Sequence, residues 1–243
     1  AIGQAFADSL AMGAGQFCTN PGLVLGIDGP DLDRFVQSAA EALERKSAQT
    51  MLTAGIHGAY RSGVETMAAT PGVQRVAEGQ TASTLHNAAQ AALFITDART
   101  LMEQPALSSE VFGPASLVVR AKDADELIAV AEQLEGQLTA TLHLEDADHP
   151  LARRLLPVLE RRAGRLLVNG FPTGVEVCHA MVHGGPYPST SNAMFTSVGA
   201  SAIDRFLRPV CYQDLPDALL PEALQQANPL GLWRLVDGAP VRA

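Results

Sequence analysis

The sequence predicts an α/β fold in which a mostly parallel sheet is covered by helices on both faces. Three observations lead there. Between Ala115 and Asn169, short apolar runs alternate with helical repeats in the order β-α-β-α-β, and short connections between such elements imply parallel strands joined by crossovers. The run Leu93-Phe94-Ile95-Thr96 reads as a further buried strand. A chain of 243 residues with 47% hydrophobic content can bury a substantial core, as one large domain or one and a half.

The elements follow in order. Ala5, Phe6, Ser9, Leu10 and Met12 mark a short helix that runs into a glycine-flanked loop, Gly15-Gln16-Phe17-Cys18-Thr19-Asn20-Pro21-Gly22. From Asp31 to Lys46, apolar residues at Leu32, Phe35, Val36, Ala39, Ala40 and Leu43 line one helical face, with Pro30 and Asp31 as start signals. A second helical region follows His57 and is interrupted near Pro71-Gly72. Leu117-Val118-Val119 is a strand. Asp123 then caps a helix, Glu126 completes a capping box, and Leu127, Ile128, Ala131 and Leu134 face inward until Gly136 ends it. Leu138 to Leu144 is the next strand, Leu151, Leu155, Leu156 and Leu159 mark the next helix, and Leu166-Leu167-Val168 is a strand again. The segment Gly170 to Val198 is rich in Gly, Pro, Ser and Thr and is expected to form a long ordered loop near the site. Beyond Asp204 the sequence suggests an edge strand at Val210-Cys211-Tyr212, a short helix after Pro221, and Trp233 as a docking anchor.

Composition excludes several classes of function. The formal charge of -9 and pI near 5.1 oppose a nucleic-acid surface, which needs clustered Lys and Arg. Only Lys46 and Lys122 are lysines, and no apolar stretch approaches membrane-spanning length, so neither nucleic acid nor membrane is an expected partner. Cys18, Cys178 and Cys211 form an odd, scattered set without a secretory signal, the pattern of reduced thiols in a cytoplasm. His179 and His183 stand four apart, but the glycines and prolines around them disfavour a helix and no third ligand is evident, so no metal centre is expected.

Cys18 is the chemical focus. A core cysteine normally lies in a continuous apolar stripe. This one has glycines on both sides, which let a ligand come close to the backbone and leave a thiolate free to act as a nucleophile. Gly15-Gln16-Phe17-Cys18 resembles the nucleophile loop of the aldehyde dehydrogenase superfamily. Glu110-Val111-Phe112-Gly113-Pro114 is similar to its Glu-x-Phe-Gly-Pro cofactor motif, and Gly164-Arg165-Leu166-Leu167-Val168-Asn169 to its Gly-x-x-x-Val-Asn strand. The three occur in the family's order and span most of the chain.

The resemblance implies a three-layer αβα catalytic domain with a doubly wound sheet over residues 1–205, and a tail over 206–243 that serves oligomerisation or docking. It implies that Cys18 attacks an aldehyde and that its N–H helps bind the oxyanion. It further implies that Glu110 accepts hydrogen bonds from the nicotinamide ribose, that Phe112 packs beside the nicotinamide, and that the cofactor is NADP or NAD. Asn169 is expected to fix backbone geometry. The sheet carries no Gly-x-Gly-x-x-Gly turn, and the chain opens at Ala1 without an initiator Met. By the same resemblance an N-terminal cofactor domain, a second oxyanion donor and a glutamate base precede Ala1, and the chain alone is expected not to turn over.

A narrower likeness rests on Phe17, on the departure from the family pattern over residues 171–188, and on Arg208-Pro209-Val210-Cys211-Tyr212-Gln213-Asp214. These resemble the α-ketoglutarate semialdehyde dehydrogenases, also called 2,5-dioxovalerate dehydrogenases. That implies oxidation of 2,5-dioxopentanoate to 2-oxoglutarate with NAD or NADP, and the expected edge strand in the tail points to a homo-oligomer. Long-chain fatty aldehyde dehydrogenases share this region and stand as the alternative. Two other readings make different demands. A cysteine acyltransferase or hydrolase requires His179 or His183 within hydrogen-bond reach of Cys18, and a non-catalytic scaffold requires an unreactive Cys18.

Overall fold

The computed structural model describes residues 1–82 and 84–242 and divides into two compact units, Ala1–Ala202 and Ile203–Ala243. The boundary anticipated after residue 205 lies three residues beyond that division.

The first unit begins with α1 (Ile2–Ala11), β1 (Leu23–Ile27), α2 (Pro30–Glu44), β2 (Gln49–Thr50) and α3 (Ala54–Ala69). Next come β3 (Gln74–Glu78), β4 (Ala88–Ala89), β5 (Ala92–Asp97), α4 (Ala98–Glu103) and β6 (Ala115–Ala121). It ends with α5 (Ala124–Gln133), β7 (Gln137–Leu142), α6 (His149–Arg162) and β8 (Ala163–Val168).

The main sheet has the order β1-β6-β5-β3. The first three strands are parallel, with Leu23 opposite Leu117 and Ala92 opposite Ala115, while β3 runs antiparallel to β5. Alternation along the strands sends their apolar residues to two separate cores. Leu93 and Val118 pack with Phe6, Leu10, Leu32, Val36 and Leu43 of α1 and α2. Phe94, Leu117 and Val119 pack with Tyr60, Met67, Leu101, Leu127, Val130, Leu155 and Val158 of α3 to α6. Helices thus cover both faces, which is the expected α/β layering. Continuous apolar runs such as Leu117-Val118-Val119 are the sequence record of that double burial.

The structure departs from expectation in several places. The β-α-β-α-β stretch does not share one hydrogen-bonded sheet: β6 belongs to the main sheet, whereas β7 and β8 form their own parallel pair, Gln137 opposite Ala163. Chain order reveals the alternation but not which strands meet. The apolar run Leu23–Ile27 and the polar run Gln74–Glu78 are strands that the sequence reading lacked. Helix α3 starts before His57, because the Thr53 side chain accepts a hydrogen bond from the Ile56 N–H and caps it at Ala54.

At α5, Asp123 caps as expected, but Glu126 accepts from the Lys122 N–H rather than closing the box on Asp123. Leu134 is already extended and leaves the helix, so the helix stops before Gly136. Gly136 has a different job. A Cβ there would lie 2.6 Å from Tyr187 O, so the missing side chain lets the long loop after β8 pack against the start of β7.

The second unit carries a hairpin, β9 (Arg234–Val236) with β10 (Ala239–Val241), turning through Asp237 and Gly238, both at positive φ. The Asn228 side chain is buried and closes a ring with Leu232, accepting from its N–H and donating to its C=O, each 3.0 Å. The anticipated edge strand at Val210-Cys211-Tyr212 is absent among the described residues, since an extended segment becomes a strand only when a neighbour pairs with it. The helix expected after Pro221 is a single turn, Glu222–Leu224, and Trp233 is exposed.

Candidate active site

Helix α1 ends at Ala11, and the chain reverses through Gly13, Ala14 and Gly15, all three at positive φ. Two glutamines hold this reversal. Gln49 accepts from the Ala14 N–H and donates to Ala11 O (3.2 and 2.9 Å). Gln16 accepts from the Leu52 N–H and donates to Gly13 O (2.9 and 3.0 Å). Beyond it lies Cys18, exposed and free. Among the described residues the Cys18 N–H makes no hydrogen bond, so it is available to an oxyanion.

The parallel register explains what comes next to Cys18. Residues just before β1 and just before β6 lie at the same end of adjacent strands. The Cys18 loop therefore meets the Glu110–Pro114 turn. The Asn20 side chain donates to Gly113 O at 2.9 Å, and Gly15 lies directly on the Gly113-Pro114 backbone. Glu110 and Phe112 are both exposed, and Glu110 has no hydrogen-bond or ion-pair partner among the described residues. The two loops are bound together. A cavity of about 300 Å³ lined by Asp28, Asp97, Arg99, Arg120, Lys122 and Glu126 lies at the opposite, C-terminal ends of β1, β5 and β6.

The long loop after β8 supplies the rest. Residues between Val168 and Ala200 contain neither helix nor strand. Thr19, buried beside Cys18, donates its hydroxyl to Pro172 O at 2.8 Å. Farther along, His183 brings Nε2 to 3.2 Å from Cys18 Sγ. The backbone of His183 is held on both sides: its N–H donates to Thr196 Oγ1 (2.8 Å) and its C=O accepts from the Ser197 N–H (2.9 Å). Burial, with the positive charge of Arg165 as a second cause, holds the His183 pKa below its ordinary value of 6.5. A neutral imidazole at this distance can take the thiol proton.

His179 is exposed and does not join it, and no group of three metal-ligating side chains forms among the described residues. Asn169 acts on the backbone as expected. Its amide donates to Leu144 O and accepts from the Leu144 N–H, each 2.9 Å, and so bridges the ends of β7 and β8. Arg165 and Thr19, which sequence reasoning passed over, connect the Cys18 loop to the His183 loop. Their only sequence signal was position inside two motifs.

A model of the aldehyde dehydrogenase family matches residues 2–209. Alpha-ketoglutaric semialdehyde dehydrogenase 2 of Azospirillum brasilense is 63% identical over 238 residues, which is 98% of this chain and 45% of that protein. The alpha-ketoglutaric semialdehyde dehydrogenase of Acinetobacter baylyi is 48% identical over 95% of this chain and 44% of its own length. The chain therefore spans less than half the length of either relative. Among solved structures, the NAD complex of a Sinorhizobium meliloti 1021 protein provisionally named a methylmalonate-semialdehyde dehydrogenase superposes with a TM-score of 0.68. It is 20% identical, over 85% of this chain and 43% of that one, a likeness of fold.

Proposed function

The chain belongs to the aldehyde dehydrogenase family, and on that premise we propose that it carries the nucleophile for oxidation of 2,5-dioxopentanoate to 2-oxoglutarate with NAD or NADP. The observation that carries this reading is Cys18 itself, exposed in a loop bound to the Glu110–Pro114 turn with an imidazole 3.2 Å from its sulfur. The names of the relatives at 63% and 48% identity support this choice of substrate, and the long-chain fatty aldehyde is the alternative.

In this mechanism His183 Nε2 accepts the thiol proton as Sγ bonds to the aldehyde carbon, and the carbonyl π electrons move to oxygen. The Cys18 N–H donates to that oxyanion. A bound nicotinamide dinucleotide supplies the hydride acceptor. Glu110 and Phe112 fit such a group. The carboxylate is exposed and free to accept from ribose hydroxyls, and the exposed Phe112 ring offers an apolar surface beside it. With the carbonyl restored, Cys18 holds a thioester, whose C–S bond breaks on attack by water to give the carboxylate and regenerate the thiol. The nucleotide-binding portion and the glutamate that activates this water belong to the proposal as further parts of the same protein. Self-association through the tail belongs to it too. The three free thiols suit the cytoplasm.

A second reading deserves a test because His183 lies within the reach it demands. A Cys18–His183 pair could run cofactor-independent acyl transfer or hydrolysis. Mixing the intact protein with 2,5-dioxopentanoate and NAD or NADP, with absorbance followed at 340 nm, separates the two. Oxidation gives one reduced cofactor per 2-oxoglutarate. Ester hydrolysis without any cofactor reduction on any aldehyde would sink the dehydrogenase reading.

The state of His183 predicts a pH profile. The groups facing it are the Cys18 thiol and the Arg165 guanidinium, with the neutral Thr196 hydroxyl on its backbone side. Because its pKa is lowered, the imidazole is still mostly neutral at pH 6.5, and the midpoint of its protonation lies below that pH. Alkylation of Cys18 by iodoacetamide, read by peptide mass spectrometry, should hold its rate down to pH 6.5 and fall beneath it. An unassisted thiol, with a pKa of about 8.5, would instead lose rate steadily from pH 8.5 downward.

A further inference from the structure

Arg165 lies half-buried on β8, and no carboxylate comes within ion-pair distance of it among the described residues. Its guanidinium is spent on the loop instead. Nη2 donates to Pro172 O at 3.0 Å. Nη1 donates to Gly174 O at 3.1 Å and contacts Met181 Sδ at 3.6 Å. Pro172 O also accepts the hydroxyl of Thr19, the neighbour of Cys18. One carbonyl thus joins the nucleophile loop to Arg165, and Arg165 joins that point to Met181, two residues before His183.

The geometry points to Arg165 as a positioning residue for the thiol: it ties the Pro172–Met181 segment to β8 and thereby holds the His183 imidazole against Cys18 Sγ. This rests on the reading of Cys18 as nucleophile and His183 as its proton acceptor. The loop has no helix or strand of its own to keep its shape. A guanidinium can do this work because its planar fork presents several donors in fixed directions, so one side chain reaches three points of the loop at once. Lysine, a compact point charge on a flexible stem, cannot reproduce that spread. The same cation acts on His183 through space. It disfavours the imidazolium and so favours the neutral ring that the thiol proton needs as its acceptor. Burial acts in the same direction. Arg165 need not touch a substrate for either effect.

The test is a double-mutant cycle on Cys18 alkylation in the intact protein, with the rate at each cysteine resolved by peptide mass spectrometry and Cys211 as internal reference. Arg165→Met and His183→Gln should each slow Cys18 labelling at pH 7 by at least about tenfold. The combined variant should be no slower than His183→Gln alone, because Arg165 acts only through His183. Arg165→Lys should recover part of the loss, since it keeps the cation but not the fork. Effects that multiply in the combined variant would overturn the proposal, as would an Arg165→Met protein that labels at the native rate while His183→Gln is slow. If Arg165→Met does not fold, Arg165→Lys decides: slower than native supports the tether, and the native rate refutes it. A native rate in His183→Gln would remove the parent reading and this one with it, a result separable from failure of Arg165 alone.

Discussion

Cys18→Ser should lower aldehyde oxidation by about a thousandfold or more, the loss of roughly 4 kcal/mol of transition-state stabilisation. The substitution changes one atom in an exposed loop, so stability should move by no more than about 0.5 kcal/mol. A serine hydroxyl is a far weaker acid than a thiol. His183 would have to remove its proton without any group orienting the imidazole from behind: Nδ1 is buried and has no partner among the described residues. Serine enzymes that work through histidine rely on such an orienting group. Cys178 and Cys211 provide the comparison. Both are exposed, and serine at either position should leave kcat/KM within about twofold of native. Substantial oxidation by the Cys18→Ser protein, measured as NAD(P)H formed per subunit, would end the assignment of Cys18 as the nucleophile.

How much of this site was legible beforehand depends on the range of the information each part needs. Helices α2, α5 and α6 declare themselves through apolar spacing within a single stretch, and the strands through runs such as Leu117-Val118-Val119. Cys18 was legible because its glycines and the ordered motifs around it are local. Strand pairing was not. Nothing in Leu138 to Leu144 says that β7 pairs with β8 outside the main sheet. Gln74–Glu78, three of its five residues charged or polar, forms an antiparallel edge that only its partner β5 makes visible.

His183 marks the limit most clearly. It lies 165 residues from Cys18, and His179, four residues earlier with the same chemistry, is exposed and takes no part. Choosing between them needs the path of a loop without regular structure, and that path is set by the Arg165, Thr196 and Ser197 hydrogen bonds. The sequence therefore offered both histidines and could not choose.

The reversal before Cys18 makes the largest stability prediction. Gly15 has φ +65°, where a side chain is disfavoured by roughly 1 kcal/mol or more. A Cβ there would also sit 2.5 Å from Gly113 O and overlap the Gly113 and Pro114 backbone. No rotamer change can relieve contact with main chain, so either the Glu110–Pro114 turn or the Cys18 loop must move. Gly15→Ala should cost about 4 kcal/mol or more, placing it among the most damaging single substitutions. For a domain of this size that is a fall of roughly 8–16 °C in Tm. Gly22, in the same loop, is the matched control: an added Cβ meets nothing within 4 Å, and Gly22→Ala should stay within about 0.5 kcal/mol of native. If Gly15→Ala melts with Gly22→Ala, the two loops are not in the contact that brings Glu110 to the nucleophile. If it melts early and the surviving folded protein labels slowly at Cys18, then the geometry around the thiol depends on the backbone seat that only glycine permits.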